Sequence, residues 1–204
     1  MMQDHWNGIY ESATLERLGW YQPEPQPDLG LIEQLDLDHT APIVLAGVGT
    51  STLVSHLYQR GYTNLILTDI SQQALNRLQQ QLPPQAVDQY QWIVDDLSQP
   101  QHLPTLDHAE LWFDRAVLHF LTDPRDRAAY QSLLHTIRPH YLFLAEFSTI
   151  GATRCSGLDV YQYDLDRYQQ FVGSGYQLLR EQEYLYIMPS GDPRPYIYCI
   201  FERI

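Results

Sequence analysis

The chain alternates between short apolar runs and segments in which apolar residues recur at helical spacing. The apolar runs lie at 43–47, 64–71, 89–94, 110–114 and 141–148. Each has the length of a buried strand. Helical spacing follows, as with Leu53, Val54 and Leu57 after the first run. This alternation predicts an α/β fold in which helices cover both faces of a parallel sheet.

The rhythm changes after the fifth run. Residues 149–160 are predicted to form a loop and 164–173 a helix. Two strand-like runs, 176–188 and 196–204, are separated by the turn segment PSGDPRP. Two adjacent strands joined by a short turn predict an antiparallel pair. We therefore expect a Rossmann-like sheet of seven strands, mostly parallel, with a C-terminal antiparallel hairpin.

The segment before the first strand is different again. Residues 3–19 are polar, and Trp6 and Tyr10 would share one face of a helix because they lie four residues apart. Residues 21–30 hold three prolines, which indicates an extended connector. A short helix is predicted at 31–38.

Composition and charge exclude several functions. Acidic residues outnumber basic ones 25 to 12 in this chain of 204 residues, a formal net charge of −13. This charge argues against nucleic acid and anionic membrane surfaces as partners. The basic residues are all arginine, which excludes Schiff-base chemistry and a phosphate-binding lysine.

The remaining composition favours a soluble cytoplasmic protein. The two cysteines, Cys155 and Cys199, cannot form a disulfide framework and fit a reducing compartment. The N-terminus does not have the pattern of a secretory signal, and the apolar runs are too short to span a membrane. The eight histidines lack metal-ligand spacing, so no metal is expected.

The first strand ends in the segment LAGVGTSTL, which carries a candidate ligand site. Gly47 allows a tight turn, and Gly49 lets the backbone approach a ligand. Ser51 lies near the start of the next helix, where free N–H groups face an anionic group.

Acidic residues follow the second and third strands. Asp69, about 20 residues beyond the glycines, can accept hydrogen bonds from two ribose hydroxyls. In Asp95-Asp96-Leu97, a carboxylate can accept from an exocyclic amine and the following N–H can donate to a purine nitrogen. These residues predict a site for an adenosine that carries a short tail. The alternative is that Asp69 and Asp96 only cap the following helices.

Over roughly residues 5–204 the chain resembles the class I S-adenosylmethionine-dependent methyltransferases. LAGVGTSTL is similar to their glycine motif, LILTDIS to the ribose-binding motif and WIVDDLS to the adenine-binding motif. The resemblance implies S-adenosylmethionine as cofactor and a methyltransferase activity of EC class 2.1.1. It also implies one domain over 1–204, made of an arm and cofactor lid at 1–40, cofactor-binding units at 41–148 and acceptor elements at 149–204. The implied cofactor-binding residues of the motifs are Gly47, Gly49, Ser51, Asp69, Ile70, Asp96 and Leu97.

HWNGIY, GWY and DRAVLHFL are similar to a narrower branch, which includes several eukaryotic protein-lysine methyltransferases and many bacterial relatives. This resemblance implies that Trp6 and Tyr10 line the cofactor pocket and that Arg115 lies near the methionine moiety. The chain departs from the superfamily pattern at Ala46, where an acid is usual, and at Ser51, where glycine is common. It departs from the lysine-methylating members at His119, where an acid is usual.

Direct methyl transfer needs alignment more than acid–base catalysis, and a base only for a protonated acceptor. His119 and Glu146 are the candidate bases, although each could instead be a packing or capping residue. Arg154, Cys155 and Tyr163 are candidate substrate-binding residues: Arg154 could hold a carboxylate, Cys155 a soft acceptor, and Tyr163 could wall the pocket. Surface charge or packing is the alternative for each.

The preferred function is methyl transfer to a small-molecule nucleophile. A second hypothesis is a protein-lysine methyltransferase, since the acidic surface would suit a basic protein partner. A third is a non-catalytic cofactor-binding protein, and a fourth is an NAD-dependent oxidoreductase, against which the terminal hairpin argues. The oligomeric state and the acceptor are left open.

Overall fold

The computed structural model describes residues 2–204, so residue 1 of the predicted domain lies outside the described residues. The helices are α1 (Met2–Ser12), α2 (Asp28–Glu33), α3 (Leu53–Gln59), α4 (Gln72–Gln81), α5 (Pro84–Gln89), α6 (Pro124–Ile137) and α7 (Leu165–Val172). The strands are β1 (Ile43–Ala46), β2 (Leu65–Asp69), β3 (Gln91–Val94), β4 (Leu111–Arg115), β5 (Tyr141–Phe147), β6 (Arg154–Cys155), β7 (Leu158–Asp159), β8 (Tyr176–Ile187) and β9 (Pro193–Arg203).

Seven strands form one sheet in the order β3-β2-β1-β4-β5-β9-β8. Strands β1 to β5 run parallel, while β9 pairs antiparallel with both β5 and β8. The predicted fold class is confirmed. The chain leaves β1 for β2 on one side and reaches β4 on the other, so a topological switch point lies between β1 and β4.

Two apolar layers hold the helices against the sheet. Neighbouring residues of β1 point to opposite faces, so Val44 packs with Trp112 on one side and Leu45 with Phe113 on the other. Both faces of the central strands are therefore dry, as expected for a parallel sheet covered by helices.

Side chains cap the helices that follow strand ends. The Oγ of Ser71 accepts from the Ala74 N–H at 3.1 Å and begins α4. Asp123 accepts from the Arg125 N–H at 2.9 Å and begins α6, with Pro124 in its first turn.

The structure differs from the predicted elements at four places. Prolines 83 and 84 were expected only to end α4, but Pro84 starts α5, because proline is favoured in a first helical turn. The predicted loop at 149–160 contains the β6–β7 hairpin. Strand β9 begins within the predicted turn, and α2 begins at Asp28 rather than at residue 31.

The N-terminal arm docks on α4 and on the end of β2 through polar contacts. Gln3 donates to the Ile70 carbonyl at 3.0 Å, and the Ser71 hydroxyl donates to Oδ1 of Asn7 at 2.7 Å. Arg77 of α4 donates to the carbonyls of Tyr10 and Ala13 near the end of α1. Across residues 2–204, no helix has both the length and the apolarity to cross a membrane.

Candidate functional site

A cavity of about 260 Å³ opens at the carboxyl ends of the central parallel strands. Strand-end residues form its floor, the N-terminal arm forms one wall, and the C-terminal hairpin contributes to another. The residues that line it include Trp6, Tyr10, Trp20, Gly47, Thr68, Asp69, Ile70, Asp96, Leu97, Arg115, Phe120, Phe147, Cys155, Met188, Arg194 and Tyr196. This is the place where ligands bind in open α/β sheets.

The two glycines of the first strand's loop have different neighbours. Gly47 borders the cavity, whereas Gly49 is not among the residues that wall it within the described chain. The backbone of Gly49 has a φ of +54°, and a Cβ there would collide with the hydroxyl of Tyr10. Gly49 therefore makes room for the protein's own arm.

Asp69 at the end of β2 is buried and fixed by backbone donors. Its Oδ2 accepts from the Gly49 N–H and its Oδ1 from the Ser71 N–H, each at 2.8 Å. Burial raises the pKa of Asp69 to about 6, against the lowering effect of these hydrogen bonds. Each carboxylate oxygen keeps a second lone pair, so the group can still accept from a ligand in the cavity.

The two aspartates after β3 have separate roles. Asp95 accepts from the N–H groups of Gln101, His102 and Leu103, which fixes the following loop. Among residues 2–204, Asp96 accepts only locally, from the N–H and hydroxyl of Ser98 through Oδ1. Asp96 is therefore the carboxylate with capacity left for a ligand.

Aromatic side chains from the arm cover the cavity. The ring of Trp6 packs edge-on against Trp20 and Phe120, with centroids 5.7 and 5.0 Å apart. Tyr10 packs in the same manner against Trp20, at 5.9 Å. The arm residues expected near the ligand, Trp6 and Tyr10, both line the cavity.

Arg115 ends β4 with its guanidinium almost buried. Its Nε donates to the Tyr198 hydroxyl at 3.2 Å and lies 3.6 Å from Oδ2 of Asp28. The group also stacks over the rings of Tyr186 and Tyr196, about 5 Å from each centroid. Its Nη2 is buried and has no hydrogen-bond partner among residues 2–204.

A smaller cavity of about 50 Å³ adjoins the glycine loop. Arg115 and Gly47 border both cavities, and Ala46 and Ser51 line the smaller one. The guanidinium therefore lies between the two cavities. It is close to the end of β1, where Ala46 takes the place of the acid that is usual in the superfamily.

His119 and Glu146 lie behind the cavity wall. Both side chains are fully buried, and Nδ1 of His119 lies 2.6 Å from Oε2 of Glu146. Burial raises the pKa of Glu146 to about 8 and lowers the pKa of His119. Neither residue borders the cavity formed by the described chain.

The other two predicted substrate-binding residues lie elsewhere. Tyr163 is buried in the core and stacks on Tyr168 with centroids 4.8 Å apart. Arg154 is exposed and pairs with Asp159 at 3.1 Å across the β6–β7 hairpin. Of the residues after β5 that were expected to touch the substrate, Cys155 is the one that lines the cavity of the described structure.

Several residues that line the cavity were not predicted from the sequence. Thr68 precedes Asp69 within the second motif, and its buried hydroxyl lacks a partner in the described part of the chain. Trp20 belongs to GWY, one of the segments that resemble the narrower methyltransferase branch. Met188, Arg194 and Tyr196 carry no local signal, because the antiparallel hairpin brings them to the site.

The site fits an adenosyl ligand with an amino-acid tail. Asp69 and Asp96 offer acceptors for hydroxyl and amine groups, and the free Nη2 of Arg115 offers a donor for a carboxylate. Within residues 2–204, no cluster of three or more His, Cys, Asp or Glu side chains is arranged to hold a metal.

Comparison with known proteins agrees with this geometry. The family model described as a methyltransferase domain matches residues 43–140. A search of curated protein sequences gives no match.

Solved structures share the fold over nearly the whole chain. One is an S-adenosylmethionine-dependent methyltransferase from Anabaena variabilis, with 13% identity and a TM-score of 0.80, covering 100% of this chain and 93% of that one. Another is the 1,6-didemethyltoxoflavin-N1-methyltransferase of Burkholderia thailandensis, solved with its substrate and S-adenosylhomocysteine. It has 12% identity and a TM-score of 0.73, covering 99% of this chain and 87% of that one.

Residues 43–140 therefore match a methyltransferase domain, and the chain shares the fold of solved S-adenosylmethionine-dependent methyltransferases. The narrower branch resemblance and the roles of individual site residues stay predictions.

Proposed function

We propose that this protein transfers a methyl group from S-adenosylmethionine to a small-molecule nucleophile. The observation that carries the proposal is the buried Nη2 of Arg115, which has no hydrogen-bond partner within residues 2–204 and belongs to a residue that lines the same cavity as Asp69 and Asp96. A buried guanidinium N–H without a partner is costly. A ligand with an adenosine at one end and a carboxylate at the other would satisfy it.

Each group has a role by its chemistry. Asp69 would accept from ribose hydroxyls, and Asp96 with Leu97 would hold the adenine. Arg115 would donate to the carboxylate of the methionine part, with Ile70 and Gly47 as walls. Ser51 would offer its hydroxyl to the same end of the ligand from the smaller cavity, since its N–H already donates to the Val48 carbonyl. When bound, the sulfonium supplies an activated methyl group, so the protein's main task is to orient the acceptor.

The walls favour a small acceptor. Beyond the strand ends the cavity is lined by Phe120, Phe147, Met188 and Tyr196, and α1 covers it. An apolar chamber closed by the chain's own arm suits a compact, partly aromatic molecule. Apart from Arg115, Arg194 is the arginine in the described part of the cavity wall. It could pair with an anionic group on the acceptor.

The related Burkholderia enzyme supports this reading by its substrate, since it methylates a small heterocycle according to its name. The alternative is a protein-lysine methyltransferase, for which the net charge of −13 would attract a basic partner. A lysine side chain would then have to enter beneath the arm. The third hypothesis, cofactor binding without catalysis, predicts binding but no turnover.

Binding of the cofactor is tested by calorimetry with S-adenosylhomocysteine and 5′-methylthioadenosine, which lacks the amino-acid moiety. We expect wild-type protein to bind S-adenosylhomocysteine at least tenfold more tightly. In Arg115→Gln this preference should fall to near unity, because the carboxylate loses its donor. Arg17→Gln, at an exposed position, is the matched control. Equal affinity of the wild type for both ligands would remove Arg115 from the ligand site.

Acceptor class is tested by methyl transfer from labelled S-adenosylmethionine. Small-molecule pools and lysine-rich peptides are compared, and labelled products are identified by mass. Label in small molecules alone would support the proposal. Label on lysine would favour the alternative, and tight binding without label in either pool would favour a non-catalytic protein.

A further inference from the structure

A buried ion pair joins the start of α2 to the end of β4. Nε of Arg115 lies 3.6 Å from Oδ2 of Asp28, and the two side chains are 10% and 3% exposed. Arg115 lines both cavities, whereas Asp28 borders neither of them in the described structure. Asp28 therefore acts on a bound ligand through its charge, across the guanidinium, and not through contact.

The other groups around the guanidinium are neutral. Its Nε donates to the Tyr198 hydroxyl at 3.2 Å, and the rings of Tyr186 and Tyr196 lie over it with centroids at 5.1 and 5.0 Å. Burial raises the pKa of all three tyrosine hydroxyls, so they stay protonated. Within residues 2–204, Asp28 is therefore the acidic partner of Arg115.

One atom on each side of the ion pair has no hydrogen-bond partner within residues 2–204. These atoms are Nη2 of Arg115, which lacks an acceptor, and Oδ1 of Asp28, which lacks a donor. No donor of the described chain thus offsets the negative charge at Oδ1. In buried surroundings of low dielectric constant, such a charge acts over several ångströms.

The acids of the main cavity lie away from this pair. Asp69 ends β2 and residues 95–96 follow β3, which are two and three strands away from β4 in the sheet. Asp126 belongs to α6, which packs on the face of the sheet opposite to the tyrosines around Arg115. In the described wall of the smaller cavity, Arg115 is the residue with a charged side chain. A positive group bound at this end therefore depends on Asp28 for its compensating charge.

We propose that Asp28 is a specificity-determining residue, which makes the Arg115 end of the cavity select a zwitterionic amino-acid tail over a tail that is only anionic. This inference rests on the proposed function, since it concerns the tail of the proposed cofactor. The ion pair is neutral as a whole, so a carboxylate alone at Nη2 brings an uncompensated charge into a buried site. A tail with a carboxylate and an ammonium adds no net charge, and Asp28 attracts the ammonium.

The proposal is tested by calorimetry on the full-length protein with two ligands. One is S-adenosylhomocysteine, and the other is its deaminated analogue, in which hydrogen replaces the ammonium group. We expect the wild type to bind S-adenosylhomocysteine at least tenfold more tightly than the analogue. In Asp28→Asn the ratio of the two affinities should fall at least fivefold, because the carboxylate is no longer repelled and the ammonium is no longer attracted.

Control variants separate the charge of Asp28 from its packing. Tyr198→Phe removes the hydroxyl to which Nε donates but changes no charge, so it should weaken both ligands equally and leave the ratio unchanged. Asp88→Asn, at an exposed position, should keep the wild-type affinities. If Asp28→Asn does not fold, the double variant with Arg115→Gln replaces it, because it leaves no buried charge unpaired. Its affinity ratio should lie close to one.

The outcomes distinguish this inference from the proposed function. If S-adenosylhomocysteine binds but the wild type shows no preference over the analogue, the inference is overturned and the proposed function stands. The same holds if Asp28→Asn or the double variant keeps the wild-type ratio, or if Tyr198→Phe lowers the ratio as much as Asp28→Asn does. If the wild type does not bind S-adenosylhomocysteine, the proposed function fails and the inference fails with it.

Discussion

The hydroxyl of Tyr10 occupies the space that a side chain on Gly49 would need. The arm helix is thereby seated directly on the glycine loop, 39 residues away along the chain. Gly49 also has a φ of +54°, which a residue with a Cβ adopts only at a cost. In this structure the second glycine of the motif, Gly49, therefore leaves the room that the arm needs to pack on the glycine loop.

Replacing this glycine should undock the arm. We expect Gly49→Ala to lower the free energy of unfolding by about 1–2 kcal/mol for the left-handed backbone. The collision with Tyr10 should cost a further ~1–3 kcal/mol. Urea unfolding measures the total.

Gly157→Ala is a matched control, because Gly157 has a φ of +82° and open space around its Cβ position. Gly157→Ala should lower the free energy of unfolding only by the cost of the left-handed backbone. The double variant Gly49→Ala with Tyr10→Phe should recover most of the difference between the two. If both alanine variants lose the same free energy, the Tyr10 contact has no energetic weight.

The cofactor side of the cavity could be predicted from sequence because its signals are local. Each of Gly47, Asp69 and Asp96 follows its own strand, and parallel strands place their carboxyl ends at one edge. The depth of burial was not predictable. The fixing of Asp69 by the Gly49 N–H depends on how two loops meet, which a single motif does not encode.

The acceptor side could not be read in the same way. Cys155 carries no motif, and its place on the β6–β7 hairpin brings it to the cavity wall. The position after β5 equally suggested Arg154 and Tyr163, which lie at the surface and in the core. Whether a residue after β5 lines the cavity depends on the direction of its side chain in the folded loop. That direction cannot be predicted from the composition.

Binding of S-adenosylhomocysteine should weaken in acid. The pKa of Asp69 is raised to about 6 by burial, and a protonated carboxyl loses acceptor capacity toward ribose hydroxyls. Affinity should therefore be constant above about pH 7 and should fall up to about tenfold per pH unit below 6. Calorimetry between pH 5 and 8 measures this profile.

Asp69→Asn should bind at least ~10-fold more weakly at pH 8, a loss of about 1.4 kcal/mol. Its affinity should change little between pH 5 and 7. Asp88→Asn, exposed on α5, is the control and should keep the wild-type profile. A pH profile in Asp69→Asn like that of the wild type would assign the titration to another group.

Stability should fall between about pH 6.5 and 8 because of Glu146. Burial raises the folded-state pKa of Glu146 from 4.5 to about 8, so the folded protein holds a proton that the unfolded chain has released. The free energy of unfolding then decreases as pH rises, by at most about 1.4 kcal/mol per pH unit for one proton. Asp69, with a pKa of about 6, adds a smaller decrease that ends near pH 7, and His119, whose pKa is lowered, acts at lower pH.

Urea unfolding at pH 6.5 and 8 compares the wild type with Glu146→Gln. The slope should fall by half or more in the variant. A remaining slope is expected from Asp114, which lies beside Glu146 and whose pKa burial also raises. Glu183→Gln, exposed on β8, should leave the slope unchanged. An unchanged slope in Glu146→Gln would mean that Glu146 is ionised throughout this range.

Arg77 should control how tightly the arm closes over the cavity. Its guanidinium donates to the carbonyls of Tyr10 and Ala13, which are left without helical partners where α1 ends. Hydrogen bonds from a charged donor contribute about 1.5–3 kcal/mol each. Arg77→Ala should therefore loosen α1, and amide exchange over residues 2–12 should accelerate at least tenfold while exchange in β1 and β4 stays slow.

Because α1 covers the cavity, S-adenosylhomocysteine should dissociate several-fold faster. Arg17→Ala, at an exposed position outside α1 and α4, should change neither rate. Faster exchange of α1 without faster dissociation would show that the arm covers the cavity without gating it.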